Sequence, residues 1–314
     1  MKNVLFAIAG MITIGLIIVT FFYHHQSKTL TMPMSVIFGE QIKNEQSEEP
    51  EEQPEQPEQT LYTEDTIDYA LQNDELNVTF DKGDTWTKVP VEKESLFEGD
   101  YNGSEQELIP DSYMLTEDLA AFLFVSGDVQ NEELEITYSR DEGKTWQDAV
   151  ITDMYPSIRF RKVAFLDDDF GYVIASGDRT MSQEGSSVFL TCDGGGSWER
   201  SNAPDTTRMV ADGGFIDEDT GFLSYGTINP EEPDLYVTQD AGESWERAKV
   251  DVPEKYDAIF VSAEVPVKED DHLTILLNQG PNGDYEGGDV KGKFISDDNG
   301  KTWQFSEEVN PDDA

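Results

Sequence analysis

The sequence predicts an all-β fold built from repeated four-stranded antiparallel sheets, and three observations predict it. An eight-residue motif, [ST]-x-D-x-G-x-[ST]-W, recurs with every defined position filled, at residues 79–86, 139–146, 191–198, 238–245 and 296–303. A strand-like apolar segment leads into each copy, and another strand begins at each Trp. A weaker repeat, strand–acidic turn–strand, precedes the motif at 163–178 and 213–228, and loosely at 112–128. Each unit of about 50 residues therefore contains four short strands, with the motif between the third and the fourth.

Four-stranded sheets that repeat around an axis form a β-propeller, in which radial packing protects the sheet edges. Five motif copies predict five blades. The first repeat has only about 20 residues between the preceding linker and Asp81, so we expect it to lack its outermost strand. The sequence offers no residues for a sixth blade without a motif.

Turn chemistry explains the spacing inside the motif. Asp141 can accept hydrogen bonds from backbone N–H groups of the following loop, and Gly143 supplies the positive φ of a tight reversal. Trp146 begins the next strand and can bury a large ring between neighbouring sheets. We interpret the motif as structural, and its residues are Asp81, Gly83, Trp86, Asp141, Gly143, Trp146, Asp193, Gly195, Trp198, Asp240, Gly242, Trp245, Asp298, Gly300 and Trp303.

The charge composition limits the binding partners. The chain has 66 Asp and Glu residues against 21 Lys and Arg residues, a net charge of −45. Such a surface repels the phosphates of nucleic acid, which excludes that partner class. The excess of acidic residues has two possible roles: it makes the surface soluble, or it attracts cations or a basic partner. The single Cys192 excludes an intramolecular disulfide and a thiolate zinc cluster.

The N-terminal residues 1–28 predict a membrane anchor. Residues 4–23 are twenty residues without a charge, long enough for a helix to cross the roughly 30 Å of a bilayer's hydrocarbon core. A cleavable signal peptide is the alternative, but its apolar region is usually about 7–15 residues and ends in small residues. Here bulky residues follow the apolar run. We therefore expect an uncleaved signal anchor, a single-pass membrane protein and an extracytoplasmic body.

Residues 29–61 predict a disordered acidic linker. The tract at 40–60 is made largely of Glu, Gln and Pro and has no aliphatic residue after Ile42. It cannot bury enough apolar area to offset its ordering entropy, and its carboxylates repel one another. We interpret it as a spacer; a polyanionic docking tail is the alternative. The folded body is then residues 62–314.

The five motif copies resemble the Asp-box, or BNR, repeat of β-propeller proteins. That family includes sialidases, sortilin-type receptors, some glycoside hydrolases and photosystem II assembly factors, and the resemblance covers residues 66–308. It implies a propeller with the box at the blade periphery, away from the central channel where ligands bind. The resemblance identifies the fold and not the activity.

A sialidase-like activity is not expected. The family's sialidases carry an arginine triad and an Arg-Ile-Pro motif before the first box, and this sequence has no such motif. Three of its seven arginines lie in or beside boxes, at 140, 200 and 247. The other four, at 159, 161, 179 and 208, lie in the third and fourth repeats, which disfavours a converging triad.

Other catalytic signatures are weak. The acidic clusters 167–169 and 217–219 occupy equivalent repeat positions and read as solvated turns, with calcium binding as the alternative. We expect Cys192 to be an inert, partly buried thiol. Tyr285 in the 278–292 loop is a candidate for stacking on a sugar.

The sequence therefore favours a membrane-tethered, extracytoplasmic propeller that acts as a non-catalytic binding or scaffolding module, with no catalytic residue and no required cofactor. Its expected ligand is a protein or a glycan. The alternative is a glycoside hydrolase other than a sialidase, which would use two channel-facing carboxylates.

Overall fold

A computed structural model describes residues 65–101, 103–128, 131–153, 155, 157–181, 183–227, 229–280 and 283–310. The predicted anchor (1–28) and linker (29–61) lie outside these residues and stay predictions. The described chain forms 21 strands in five sheets and three short 3₁₀ helices, Lys93–Leu96, Glu254–Tyr256 and Tyr285–Gly287. This confirms the all-β prediction. In the part of the chain so described, no helix has both the length and the apolar character needed to cross a membrane.

The second, third and fourth sheets each contain four antiparallel strands in chain order. The second sheet contains β4 (Tyr113–Leu115), β5 (Ala120–Asp128), β6 (Asn131–Ser139) and β7 (Gln147–Thr152). The third contains β8 (Ile158–Phe165), β9 (Gly171–Thr180), β10 (Gln183–Thr191) and β11 (Glu199–Ser201). The fourth contains β12 (Met209–Phe215), β13 (Thr220–Gly226), β14 (Asp234–Gln239) and β15 (Glu246–Arg247). In each sheet the motif connects the third strand to the fourth.

The first sheet has three described strands, β1 (Asp68–Gln72), β2 (Glu75–Thr79) and β3 (Thr87–Lys88). Because its motif connects β2 to β3, these strands correspond to the second, third and fourth strands of the other sheets. The strand that the first sheet lacks in the described residues is therefore the first one, equivalent to β4, β8 and β12, which corrects the expectation that the outermost strand is missing.

The fifth sheet departs from the predicted four antiparallel strands, since it contains six: β16 (Lys249–Asp251), β17 (Phe260–Ala263), β18 (Val267–Glu269), β19 (His272–Gln279), β20 (Lys291–Ser296) and β21 (Thr302–Val309). Its first strand is split into β17 and β18, which both pair with β19. Pro266, which has no N–H to donate, lies between them. The sixth strand, β16, follows the fourth sheet in the chain and pairs in parallel with β21.

Four apolar clusters hold the five sheets together, one between each consecutive pair. The clusters centre on Val78 with Phe122, Val125 with Val163, Ile174 with Leu223, and Val237 with Ile275. The second strand of a sheet contributes to two clusters: Phe122 of β5 faces the first sheet, while Leu123 packs toward the third. This double burial explains why such strands read as continuous apolar runs.

Contacts between consecutive sheets run mainly through their first and second strands. Each sheet has two ends. The box end carries the motifs, together with the turns between first and second strands: Gly194 N–H donates to the carbonyl oxygen of Asp169 (2.8 Å), and Ala241 N–H to that of Asp219 (3.0 Å). At the opposite end, the loop end, the chain crosses from the fourth strand of one sheet to the next sheet.

Candidate functional site

Each motif aspartate closes its own hairpin. The Asp141 Oδ1 atom accepts the Ser139 hydroxyl (2.9 Å) and the Thr145 N–H (2.7 Å), and Oδ2 accepts the Thr145 hydroxyl (2.7 Å). The Ser139 oxygen in turn accepts the Gly143 N–H at 2.9 Å. The same four hydrogen bonds, 2.5–3.0 Å long, recur around Asp81, Asp193, Asp240 and Asp298.

Two consecutive residues of each motif have positive φ. In the second copy these are Glu142 (φ +60°) and Gly143 (φ +74°), and the other four copies follow the same pattern. The fourth motif position tolerates side chains in spite of its conformation, but the glycine position is also crowded. A Cβ at Gly300 would lie 2.3 Å from Cε1 of Phe222, and one at Gly143 would lie 3.2 Å from Cγ2 of Thr87. The glycine therefore lets a box approach the preceding sheet.

These hydrogen bonds hold the aspartates in the ionised form. At Asp193 the Ser197 hydroxyl and N–H lower the carboxyl pKa to about 2. The pKa values of the Asp81, Asp141 and Asp240 carboxyls also lie below the usual range, because of the hydroxyl and the N–H at the seventh motif position. Burial acts most strongly on Asp298 and opposes this shift, yet its hydrogen bonds still lower the pKa. An aspartate with a lowered pKa and fully used oxygens is suited to holding a turn and not to donating a proton.

The motif tryptophans pack toward the preceding sheet. Trp146, Trp198, Trp245 and Trp303 each join the apolar cluster that lies between their own sheet and the one before. Trp303 is completely buried, and the Trp245 indole N–H donates to the carbonyl oxygen of Asn202 in the third repeat (2.9 Å). Trp86 belongs to the first sheet, and in the described structure the buried indole nitrogens of Trp86 and Trp146 have no hydrogen-bond partner.

The two acidic clusters form turns. Asp167 Oδ1 accepts the N–H groups of Asp169 (2.9 Å) and Phe170 (2.7 Å). Asp217 does the same for Asp219 (3.1 Å) and Thr220 (2.6 Å). Within the described ranges, no group of three or more His, Cys, Asp or Glu side chains is placed to hold a metal ion.

Two other predicted candidates have a different environment from the one expected. Cys192 is exposed, which corrects the expectation of a partly buried thiol, because its motif position faces outward from the sheet. Partial desolvation of the thiol raises its pKa, and the negative charges of Glu218 and Glu199 raise it further. The thiol is therefore a poor nucleophile. Tyr285 is half-buried: its ring packs edge-on against Tyr256 (6.0 Å between centroids), and its hydroxyl donates to Glu308 (3.1 Å). Both the ring and the hydroxyl of Tyr285 therefore contact other residues of the fold.

All seven arginines have a protein partner. Their partners are Asp168 for Arg140, Glu184 for Arg159, the carbonyl oxygens of Leu96 and Glu98 for Arg161, Asp100 for Arg179, Ser187 for Arg200, Asp234 for Arg208, and Asp234 and Glu232 for Arg247. The structure does not bring three free guanidinium groups together to bind a carboxylate.

An ionic cluster joins the first strands of three sheets, and the sequence did not reveal it. Lys162 on β8 donates to Asp212 Oδ1 on β12 at 2.7 Å, and its Nζ lies 3.8 Å from Asp111 Oδ1, just before β4. The Asp111 side chain is 51% exposed. Burial, and then the charges of Asp212 and Asp111, raise the pKa of the nearby Tyr172 phenol. An alignment of the repeats shows where the first strand of each sheet lies in the sequence. It does not show which side chains of neighbouring sheets contact each other.

A second cluster is buried near the loop end between the third and fourth sheets. The Glu184 carboxylate is fully buried and accepts two guanidinium N–H groups of Arg159, at 2.5 and 2.6 Å, and the Val210 N–H at 2.7 Å. Arg159 also donates to the Val210 carbonyl oxygen (2.6 Å). Every charge in this cluster is compensated, so it serves to connect the two sheets.

The chemistry that the described carboxyl groups can perform is limited. A glycoside hydrolase needs a carboxylic acid whose raised pKa lets it protonate a leaving group. Every carboxyl pKa that departs clearly from its usual range in the described residues is lowered. Of the two carboxylates beside Lys162, Asp111 is the more exposed, at 51% against 27% for Asp212.

Comparison with known proteins gives a repeat match to one short segment and several distant structural neighbours. Residues 294–305 match the BNR/Asp-box repeat. A search of the curated proteins gave no match. Among solved structures, Trypanosoma rangeli sialidase has 12% identity and a TM-score of 0.41, over 62% of this chain and 37% of the sialidase. This chain thus spans little more than a third of that protein.

Two further neighbours are similar at the same level. A Dyadobacter fermentans protein of unknown function has 16% identity and a TM-score of 0.42, over 79% of this chain and 71% of its own. The GH74 xyloglucanase of Xanthomonas campestris has 17% identity and a TM-score of 0.38, over 74% and 34%. The matched segment contains the fifth box, and the other four boxes repeat its sequence pattern and its hydrogen bonds. The chain therefore carries the Asp-box (BNR) repeat at residues 294–305 and repeats its pattern at four further positions.

Proposed function

We propose that the chain is a five-bladed β-propeller that acts outside the cytoplasm as a non-catalytic binding or scaffolding module for a protein or a glycan. Residues 1–28 anchor it in the membrane, and residues 29–61 hold the propeller away from the bilayer. Five boxes, five sheets and contacts between first strands of consecutive sheets support the blade number. The long uncharged run at residues 4–23 supports the anchor.

The observation that carries the proposal is the mutual pairing of the inner ionisable side chains. Lys162 neutralises Asp212 and lies beside Asp111, and Arg159 neutralises Glu184. Charges that compensate one another connect sheets and leave no general acid beside a general base. Recognition then falls to groups outside these pairs, such as the connections between sheets and the backbone groups at a sheet edge.

The alternative is a glycoside hydrolase, and one observation favours it. Two carboxylates, Asp111 and Asp212, lie on either side of one ammonium group, and Asp111 is half exposed. Inverting and retaining glycosidases place two carboxyl groups about 5–9.5 Å apart. On this alternative, displacement of Lys162 by a substrate would free the pair.

The experiment is a glycoside turnover assay on the purified full chain in detergent, with chromogenic substrates, with and without Ca²⁺. We expect no turnover above that of an Asp111→Asn/Asp212→Asn variant. Turnover by the natural chain that either Asp→Asn substitution abolishes, while Asp148→Asn on the exposed β7 leaves it intact, would establish the hydrolase instead.

A further inference from the structure

Among the described residues, strand β1 has no partner at the edge where every other sheet has a further strand. The equivalent strands β5, β9, β13 and β19 pair on both sides. Among the described strands, β1 pairs with β2 alone. The free edge is the one that β4 occupies on β5, and it faces the same side as the first strands of the other sheets.

The backbone groups at this edge come from Tyr69 and Leu71. A two-residue turn, Asn73 (φ +52°) and Asp74 (φ +62°), joins β1 to β2, and Gln72 pairs with Glu75 across it. Hydrogen-bonding direction alternates along an antiparallel strand, so Gln72 and Ala70 bond to β2, while Tyr69 and Leu71 point the other way. The Tyr69 N–H is bound by the carboxylate of its neighbour Asp68 (2.8 Å), a local substitute for a strand partner.

The side chains beside the edge form an incomplete apolar surface. Tyr69 and Leu71 share a face with Val78 and pack on the cluster between the first and second sheets, but both remain half-buried. The Tyr69 ring meets the ring of Tyr113, on β4, edge-on with centroids 5.1 Å apart. A further strand would cover these rings, as first strands do in the other sheets.

The charges favour a basic strand. Asp68 borders the edge, and its charge and that of Asp111 contribute, after burial and Tyr69, to raising the pKa of the Tyr113 phenol to about 12. Among the first strands of the other sheets, β8 is the basic one and carries Arg159, Arg161 and Lys162, whereas β4 and β17 are uncharged and β12 carries an aspartate. Lys162 there meets carboxylates from both neighbouring sheets. The net charge of −45 adds long-range attraction for a basic segment.

We propose that the free edge of β1 accepts an extended, basic segment of a partner protein as the fourth strand of the first sheet. Main-chain hydrogen bonds to Tyr69 and Leu71 provide affinity, and alternate apolar side chains on Tyr69 and Tyr113 provide specificity. This inference rests on the proposed binding function and assigns it a site and a class of partner.

The test uses a fluorescent peptide with the sequence of β8, IRFRKVAF, added to the full chain in detergent. Two matched peptides carry N-methyl groups on one or the other alternating set of amides, so they share charge and composition. In about 0.15 M NaCl, where exposed charges are screened beyond about 8 Å, anisotropy should show binding. One methylated peptide should bind at least about tenfold more weakly, because it loses the bonds to β1, and the other should bind like the parent. Equal affinities of the two, or no binding of the parent, would overturn the proposal.

Amide hydrogen exchange locates the bound strand. The peptide should slow exchange at Tyr69 and Leu71 by about tenfold or more. Loss of protection in β9 would mean that the peptide displaces the chain's own β8. If Tyr69 and Leu71 become more protected as the protein concentration rises, without any peptide, the edge pairs with a second copy of the chain. Either result overturns the proposal. In the protein, Leu71→Pro removes the edge N–H and should abolish binding, whereas Leu71→Val should retain it.

Failure of this inference can be told apart from failure of the proposed function. Absence of peptide binding together with absence of glycoside turnover rejects the edge site alone. Turnover that depends on Asp111 or Asp212 rejects the non-catalytic function, whatever the peptide does.

Discussion

The indole of Trp303, in the fifth box, packs against the ring of Phe222, on β13 of the preceding sheet, with centroids 6.2 Å apart and ring planes at 66°. Trp303 is fully buried and its N–H donates to the Gly300 carbonyl oxygen (2.8 Å). One box therefore closes its own hairpin and fastens its sheet to the sheet before it. Trp198 packs in the same way on the apolar cluster between the second and third sheets, so the boxes fasten consecutive sheets by a repeated contact.

Replacing Trp303 with Ala should lower the free energy of unfolding by about 3–5 kcal/mol, since the cavity lies between two sheets and cannot close. Urea unfolding monitored by far-UV circular dichroism measures the change. The control is Val150→Ala, whose side chain is 50% exposed on β7, and its effect should be smaller. Equal losses for the two variants would contradict the inter-sheet role of Trp303.

Gly300→Ala tests the close approach of a box to the preceding sheet. Gly300 has φ +86°, and an added Cβ would meet Phe222 at 2.3 Å. Gly287 has a similar φ (+95°) but no atom within 4 Å of the same position. Gly287→Ala should therefore cost only the backbone strain, about 1–2 kcal/mol, and Gly300→Ala should cost clearly more. Chemical denaturation of both variants measures the loss in the free energy of unfolding. Equal losses would show that the backbone conformation alone requires glycine at position 300.

The sequence predicted the boxes well because they are local. Asp141, Ser139 and Gly143 interact within five residues, so spacing and residue type determine the turn. The Lys162–Asp212 and Arg159–Glu184 pairs join residues 50 and 25 positions apart in the chain. Such pairs depend on the lateral order and register of strands, which a single sequence does not specify. The parallel pairing of β16 with β21 was missed for the same reason.

The buried pair Arg159–Glu184 gives a different prediction. Glu184→Leu alone leaves the guanidinium without its carboxylate and should destabilise the chain by about 3–5 kcal/mol. The double variant Arg159→Met/Glu184→Leu should recover part of that loss, because it removes the unpaired guanidinium but leaves the Val210 N–H and carbonyl oxygen without these partners. Thermal unfolding of the three proteins measures the recovery. A double variant no more stable than Glu184→Leu would mean that the charges do more than compensate each other.

Acid should weaken the boxes in a defined pH range. The folded pKa of Asp193 is about 2, below its ordinary 3.8, so its stabilising contribution is present above about pH 4 and is lost as the pH falls toward 2. Other carboxyl groups titrate in the same range and relieve repulsion, so the comparison is with Asp193→Asn. The stability difference between the two proteins should be full near pH 6 and shrink by pH 2.5. A difference that does not change with pH would contradict a stabilising charged Asp193.

The central claim is that the Asp boxes hold the fold and are not the functional site. Urea unfolding of the full chain with Asp→Ala at each box, at residues 81, 141, 193, 240 and 298, tests it most directly. Because each aspartate accepts the same hydrogen bonds, we expect a lower unfolding midpoint for all five variants, with Asp148→Ala as an unaffected control. Unchanged midpoints in the box variants would contradict the claim and return the aspartates to the list of functional candidates.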